Sequence, residues 1–387
     1  MSHPNVITAF APKNRFGSLL HDEELDLGVK LNEAQGTLAD KLDSLSTVSS
    51  YSHALINTNI NPVTQPAETW FTKLNENLGT GKAHAQTWLS DIAPKVGSVI
   101  PQSIINYSNT FTVATDEIVK IIDKGSLSQK DKNDIIALIE DVLATLEDER
   151  GEITKVQNKI IKLSNDFQDD HERLVIGQNG AAAAVKLAEA DQLKMSNKIA
   201  ELQTQLESTR AKVTASGIGL GLGIFLAVAA FALAVATGGA GLAVVGAIGV
   251  IGVGVAATYT GIFTAEISSL LEEIHAEQQR FEDKKKQVAA LSSLSQTVSS
   301  LRNQNESAKT ALTHVQTMWE TLAGKLDAVL KGLKDGKLKP ESLIKIKTAK
   351  RSWNDLSDFA QKIQDLSSGT QVQPTIQHDK VRLFYAA

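Results

Sequence analysis

Carboxylates and an imidazole stand together at Asp169-Asp170-His171-Glu172 in this 387-residue chain. Such groups bind metals or move protons, so the tetrad raises a metal site. Consecutive residues of a helix point in different directions, however, and the surrounding apolar spacing is helical. A solvated helix face is the expected reading. The eight histidines are otherwise scattered, and no H-E-x-x-H occurs. With no cysteine, disulfides, thiolate metal sites and cysteine nucleophiles are excluded. The glycines Gly217, Gly219, Gly221 and Gly223 look superficially like a phosphate loop. No Lys-Ser/Thr follows them and no strand–helix context frames them, so a nucleotide site is not expected. The triplet Lys284-Lys285-Lys286 could touch anionic headgroups, but a solvated helix face accounts for it better. Neither a catalytic centre nor a cofactor or metal site is therefore expected, and the chain does not read as an enzyme.

The chemistry that does stand out is apolar transfer. Between Lys212 and Glu266, residues 213–265 carry no charge. Two stretches lie inside this run, Gly217–Ala236 and Ala240–Phe263, separated by Thr237-Gly238-Gly239. A bilayer core of about 30 Å takes about 20 apolar residues as a helix, and each stretch is that long. The pairs Gly217/Gly221 and Gly219/Gly223 have the G-x-x-x-G spacing that lets membrane helices approach closely. Glycine also lowers helix propensity in water, so the segment can instead be a loop or a strand pair before it meets lipid. Candidate membrane-inserting residues are Gly217, Gly221, Phe225, Val228, Phe231, Val235, Gly238, Gly239, Val244, Ile248, Val250, Ile251, Val255, Tyr259 and Phe263. Tyr259 and Phe263 are placed as interfacial anchors.

The rest of the chain must carry this segment, and it reads as helix. Composition is 42% hydrophobic but only 5% aromatic, which suits helices packed on helices. Net charge is −5, so no basic excess supports nucleic-acid binding. No proline falls between Pro101 and Pro340. Helices are expected over about 17–56, 68–93 (ending at Pro94, with Gly79 and Gly81 as interruptions), 101–123, 128–212, 264–333 and 341–366, with 1–16 an irregular tail. Ser128 with Asp131 has capping-box spacing. Ile153, Val156, Ile160, Leu163 and Phe167 form one seam, with Leu174 seven further on and Met195, Ile199, Leu202 and Leu206 restarting it; Ile267, Ile274, Phe281, Val288, Leu291, Val298, Leu301, Ala308, Val315 and Leu322 form another. Gly177 and Gly180 mark a bend, either a hinge for a conformational change or a plain kink. Trp70, Trp88, Trp319 and Trp353 lie outside the uncharged run and are expected between the rods. The end, VRLFYAA, is a candidate docked tail.

Two long helices joined by an apolar hairpin, with further long helices alongside, resemble the cytolysin A family of α-helical pore-forming toxins. The resemblance covers about 17–366 and rests on architecture. A wholly hydrophobic two-pass head is most similar to the B component of the tripartite toxins, such as the non-haemolytic and haemolysin BL enterotoxins and their Gram-negative relatives. It implies a secreted, soluble monomer whose head, often a β-tongue, converts to helices in the host membrane. It also implies self-oligomerisation and partner components. The hairpin itself has almost no polar face to line a lumen, so one partner is expected to bring an amphipathic head. A departure is that the N-terminus, MSHPNVITAF, shows no basic and apolar leader pattern.

The expected fold is thus all-α: an elongated bundle of about five long helices, 17–212 and 264–387, with a hydrophobic head at one tip, 213–265, as helical hairpin or β-tongue. The expected function is one component of a multi-part cytolysin. Two other readings stay open on the residues alone. One is a permanently anchored two-pass coiled-coil tether, although Arg210 and Lys212 against Glu266, Glu272 and Glu273 give little positive-inside bias. The other is an apolar helix pair buried in an ordinary core.

Overall fold

The computed structural model describes residues 26–58, 60, 69–178, 180–186, 226–234, 243–251, 283–369 and 384–386, with isolated helical positions between 193 and 208 and at 276. Its long elements are α1 (Leu31–Asn57), α2 (Thr69–Thr87), α3 (Ala93–Ile122), α4 (Gln129–His171), α6 (Asp283–Lys334) and α7 (Ile346–Gly369). A short α5 (Ala181–Lys186) follows α4, and strands β1 (Leu226–Ala234), β2 (Ala243–Ile251) and β3 (Phe384–Ala386) complete the described elements. The helices form an elongated bundle in which α3 packs on α7 and α4, and α6 packs on α4 and α1. Helix α6 alone, at 52 residues, is about 78 Å long.

Helix ends follow local chemistry. At the start of α4 the Asp131 N–H donates to Ser128 Oγ at 3.1 Å, and the Ser128 N–H donates to Asp131 Oδ2 at 2.9 Å. This is the reciprocal capping box expected from the spacing. Lys124 adds a bond to Asp131 at 2.7 Å. The Lys124 ammonium, with the Ser128 donors, holds that carboxyl far below the usual range. After α6, Gly336 adopts φ +69°, which other residues rarely take, and the Lys337 and Leu338 N–H groups turn back to the Gly332 carbonyl at 2.9 Å.

Prolines punctuate less than expected. The chain runs helically from Thr69 to Ile122, with a π-turn at Trp88–Ile92. That wider turn lies directly before Pro94 and opens the backbone where the ring would meet preceding carbonyls. Pro101 sits inside α3, without the bond its N–H would have made to the Gly97 carbonyl. Tertiary burial offsets the loss, since Ile100, Ile104, Tyr107 and Phe111 are all in the core. Gly79 and Gly81 do not interrupt α2. At the N-terminal end, α1 starts only at Leu31, after an extended run from Asp26. Trp353 Nε1 donates to the Leu27 carbonyl at 2.9 Å and Lys325 Nζ to the Asp26 carbonyl at 2.6 Å, tying that run to α7 and α6. Residues 1–25 lie outside the described part.

Both apolar seams are buried where they are described, from Ile153 to Leu174 and from Val288 to Leu322, while Met195, Ile199, Leu202, Leu206, Ile267, Ile274 and Phe281 lie outside the described residues. Where α3, α6 and α7 meet, Trp319 stacks on Trp353 at 5.7 Å between ring centroids, and Tyr107 meets Trp353 edge-on at 4.6 Å. Trp88 is also fully buried and Trp70 packs on the core's margin, so all four tryptophans pack with the bundle. Ser128→Ala is expected to lower stability by about 1 kcal/mol through loss of the cap. Urea unfolding followed by circular dichroism checks it.

Candidate functional site

Within the uncharged run, β1 and β2 pair antiparallel over nine positions each, from Leu226 opposite Ile251 to Ala234 opposite Ala243. The β-tongue alternative is the one adopted. Of the candidate membrane-inserting residues, Val228 and Phe231 lie in β1, and Val244, Ile248, Val250 and Ile251 lie in β2. Gly217, Gly221, Phe225, Val235, Gly238, Gly239, Val255, Tyr259 and Phe263 lie outside the described residues. The strand sequences LAVAAFALA and AVVGAIGVI contain no polar side chain. Valine and isoleucine favour strands, and glycine disfavours helix in water, so local preference agrees with the pairing. Among the described residues, no helix is long and apolar enough to cross a membrane.

The sheet lies against the bundle. Strand β1 packs on α1 and reaches α6, while β2 touches α1 and α7. Between Ser44 and Leu55 of α1, every described side chain is buried except His53, which is half-buried. That stretch, SLSTVSSYSHAL, is rich in hydroxyls and reads as a solvated face, yet Thr47, Ser50 and Ser52 are fully covered. Small side chains let neighbours approach α1 from all sides. Ser49 Oγ donates to the Leu45 carbonyl at 2.8 Å and accepts from Trp88 Nε1 at 3.0 Å, whereas Ser52 Oγ is buried without a partner among the described residues. The serine run was the only available signal of this all-round burial, and periodicity does not decode it.

The acidic tetrad is not the solvated face it was expected to be. Asp169 and Glu172 are exposed, but Asp170 is 1% and His171 6% exposed. Asp170 Oδ2 pairs with His84 Nδ1 of α2 at 2.8 Å, with Arg173 at 3.5 Å from the other oxygen. Gly81 permits this docking: a Cβ there would lie 3.1 Å from Leu174 Cδ1 and 3.5 Å from Asp170 Oδ2. Burial pushes the Asp170 carboxyl up, against the pull of His84 and Arg173. His171 faces α6. Arg302 Nη1 lies 3.3 Å from its Nδ1, and Ser299 Oγ lies 3.1 Å from its Nε2. A guanidinium can only donate, so Nδ1 accepts and the ring is neutral, with Nε2–H directed at Ser299. Ser299 Oγ then donates to the Ser295 carbonyl at 2.7 Å. Burial, with the Arg302 charge, lowers the His171 pKa, and burial lowers that of His53. Among the described residues no group of acids, histidines or cysteines is placed to hold a metal.

Directly beyond this cluster α4 passes through a π-turn, Glu172–Ile176, and breaks. Gly177 is extended, at φ −55° and ψ 160°. A Cβ on Gly180 would sit 2.5 Å from the Val175 carbonyl oxygen, so only glycine fits this break. The bend expected at Gly177 and Gly180 is therefore present, with an unforeseen π-turn leading into it.

An elongated helical bundle with an antiparallel strand pair laid against it is a fold that recurs in solved structures. Residues 32–215 match the family model of the Bacillus haemolytic enterotoxin (HBL). The Bacillus cereus HblL1 toxin component superposes with a TM-score of 0.68 at 20% identity, covering 90% of this chain and 98% of its own. Motility Associated Killing Factor B from Vibrio cholerae gives 0.65 at 17%, covering 87% and 93%. The soluble AhlB of the tripartite α-pore-forming toxin AHL from Aeromonas hydrophila gives 0.63 at 15%, covering 89% and 96%. No curated protein matches the chain in sequence. The family match over residues 32–215 and the shared fold make this chain similar to these toxin components.

A neutral buried histidine has a folded pKa below its unfolded value of about 6.5, so the unfolded chain takes up protons first as pH falls. The stability that depends on neutral His171 is complete above that value and is lost as pH drops through it. Unfolding midpoints are expected to fall between about pH 7 and pH 5, and His171→Gln is expected to flatten the dependence. Denaturant titrations at stepped pH measure both.

Proposed function

We propose that this protein is a secreted component of a multi-part pore-forming toxin that inserts residues 213–265 into target-cell membranes as a helical hairpin. The observation that carries the reading is the antiparallel pair β1–β2, drawn from an uncharged run and laid against α1, in a chain similar to pore-forming toxin components. A hairpin of open strands cannot remain in hydrocarbon, because the outer edges leave main-chain N–H and C=O groups unpaired. The same stretches as helices satisfy those groups internally and reach across about 30 Å. Insertion on this reading requires β1 and β2 to separate and recoil, with Gly177 and Gly180 serving as the hinge. The driving force is apolar transfer, roughly 25 cal/mol per Å2.

The protein then oligomerises through the faces of its long helices and acts as anchor or scaffold. Between Gly217 and Phe263 the polar side chains are Thr237 at the turn and Thr258, Tyr259 and Thr260 near the far end. That is too little to line a water-filled lumen, so an amphipathic partner component lines it. HblL1 and AhlB are by their own descriptions toxin components, the latter of a tripartite system, which supports the multi-part reading.

Val228→Asp and Val250→Asp each place a charge mid-stretch, at about 2.5–3.5 kcal/mol on insertion scales, and are expected to abolish membrane association. Gly238→Glu, at the turn, is expected to matter less. Vesicle flotation ranks the three, and full activity of both aspartate variants rules out the insertion assignment. Dye release from liposomes by the purified protein alone, as fast as with its partner components, would rule out the anchor role.

A further inference from the structure

We propose that the groove between α1 and α6 is a binding site for the anion of a single-chain fatty acid. The site is separate from the uncharged run and does not depend on the insertion of 213–265. It encloses about 520 Å3, and its walls include Ala34 and Leu38 of α1, Ile104 of α3, Val315 and Leu322 of α6, and Trp353 of α7. All six side chains are buried in the core. The volume falls within the roughly 300–1,000 Å3 of small-molecule sites, and the lining is of the apolar kind such sites use. Met318, partly buried on the α6 wall, is unbranched and can adapt to what enters.

The two ends of the groove differ in charge. Lys325 Nζ donates to the Asp26 carbonyl at 2.6 Å, so the end lined by Gly28 and Lys30 is also the Lys325 end. Along α6 the other end lies at His314 and Val315, about 16 Å away. An ammonium has three donors, and the carbonyl takes one. Among the described residues no carboxylate pairs with Lys325, so two donors remain for the two oxygens of a carboxylate. Lys30 adds a second positive charge, held only at 3.8 Å from Glu33. Glu33 lines the same mouth and opposes a doubly charged phosphate more than a singly charged carboxylate. One extended chain therefore lays its carboxylate at Lys325 and its tail against Leu38, Ile104 and Val315. Charge at one end of an apolar trough is complementary to an amphiphile with one anionic head.

Calorimetric titration of the full-length protein with laurate, below its micelle concentration, tests this. Saturable binding of one laurate per chain is expected, with decanoate roughly tenfold weaker because it buries two fewer methylenes. Dodecyltrimethylammonium, with the same chain length and the opposite charge, is expected to bind about tenfold weaker than laurate or not at all. Lys325→Met is expected to weaken laurate about tenfold, the effect of losing a hydrogen bond to a charged group. Met318→Trp fills the groove and is expected to abolish binding. Glu33→Gln removes the adverse charge from an exposed side chain and is expected to tighten laurate about twofold, a gain that misfolding does not produce. Laurate held elsewhere, such as on the uncharged strands, is indifferent to all three substitutions. Unchanged laurate affinity in the three variants, or equal affinity for the two head charges, overturns the proposal. Failure of laurate to bind the intact chain, or its displacement as the protein self-associates, assigns the groove to a chain segment or a second copy and also overturns it.

Discussion

Every main-chain N–H and C=O in strands without polar side chains, such as β1 and β2, must find its partner in the main chain itself once water is excluded. That constraint governs the architecture around β1 and β2. In water the partners come from a ladder: β1 with β2 over nine positions, and the terminal strand on the far side of β2. A ladder needs neighbours and leaves edges, so it must be held against a protein surface. A helix needs neither neighbours nor edges to close its bonds, which is why the bilayer selects it. The helical state proposed for insertion uses the same sequence and makes those hydrogen bonds within one segment.

The rest of the fold follows from covering the strand form. Helix α1 takes the position between the sheet and the tail helices, and its serines and threonines accept burial because small side chains permit close approach from all sides. Beside it, the buried Asp170–His84 pair and the neutral His171 between Arg302 and Ser299 fasten α2, α4 and α6. Polar contacts of this kind are specific and breakable, unlike the stacked aromatic cluster of Tyr107, Trp319 and Trp353. The molecule therefore joins an aromatic-centred region to one held by hydroxyls, imidazoles and a sheet. The helix break at Gly177–Gly180 lies at that second region.

The match of residues 32–215 to the Bacillus haemolytic enterotoxin model and the superposition on HblL1 show that this fold recurs beyond one chain. At 20% identity few side chains are shared, yet the length and order of the helices persist. Binary patterning specifies a long helical bundle more readily than particular residues do.

The sequence by itself determined the helical class, the two buried seams, the α4 cap at Ser128 and Asp131, and the limits of the uncharged run, because each depends on spacing within a few turns. It also marked Gly177 and Gly180 as a bend. Only the tertiary structure decided what the run becomes in water. Valine, isoleucine, alanine and glycine are compatible with strand or helix, and the choice lies with α1 and the chain's last residues, far away in sequence. Tertiary packing also turned prolines 94 and 101 from helix ends into helix interior, and drew Asp170 and His171 inward. Local preference amounts to tenths of a kcal/mol per residue, whereas burial of a large side chain amounts to about 1.5–3 kcal/mol, so contacts between distant segments prevail where the two disagree.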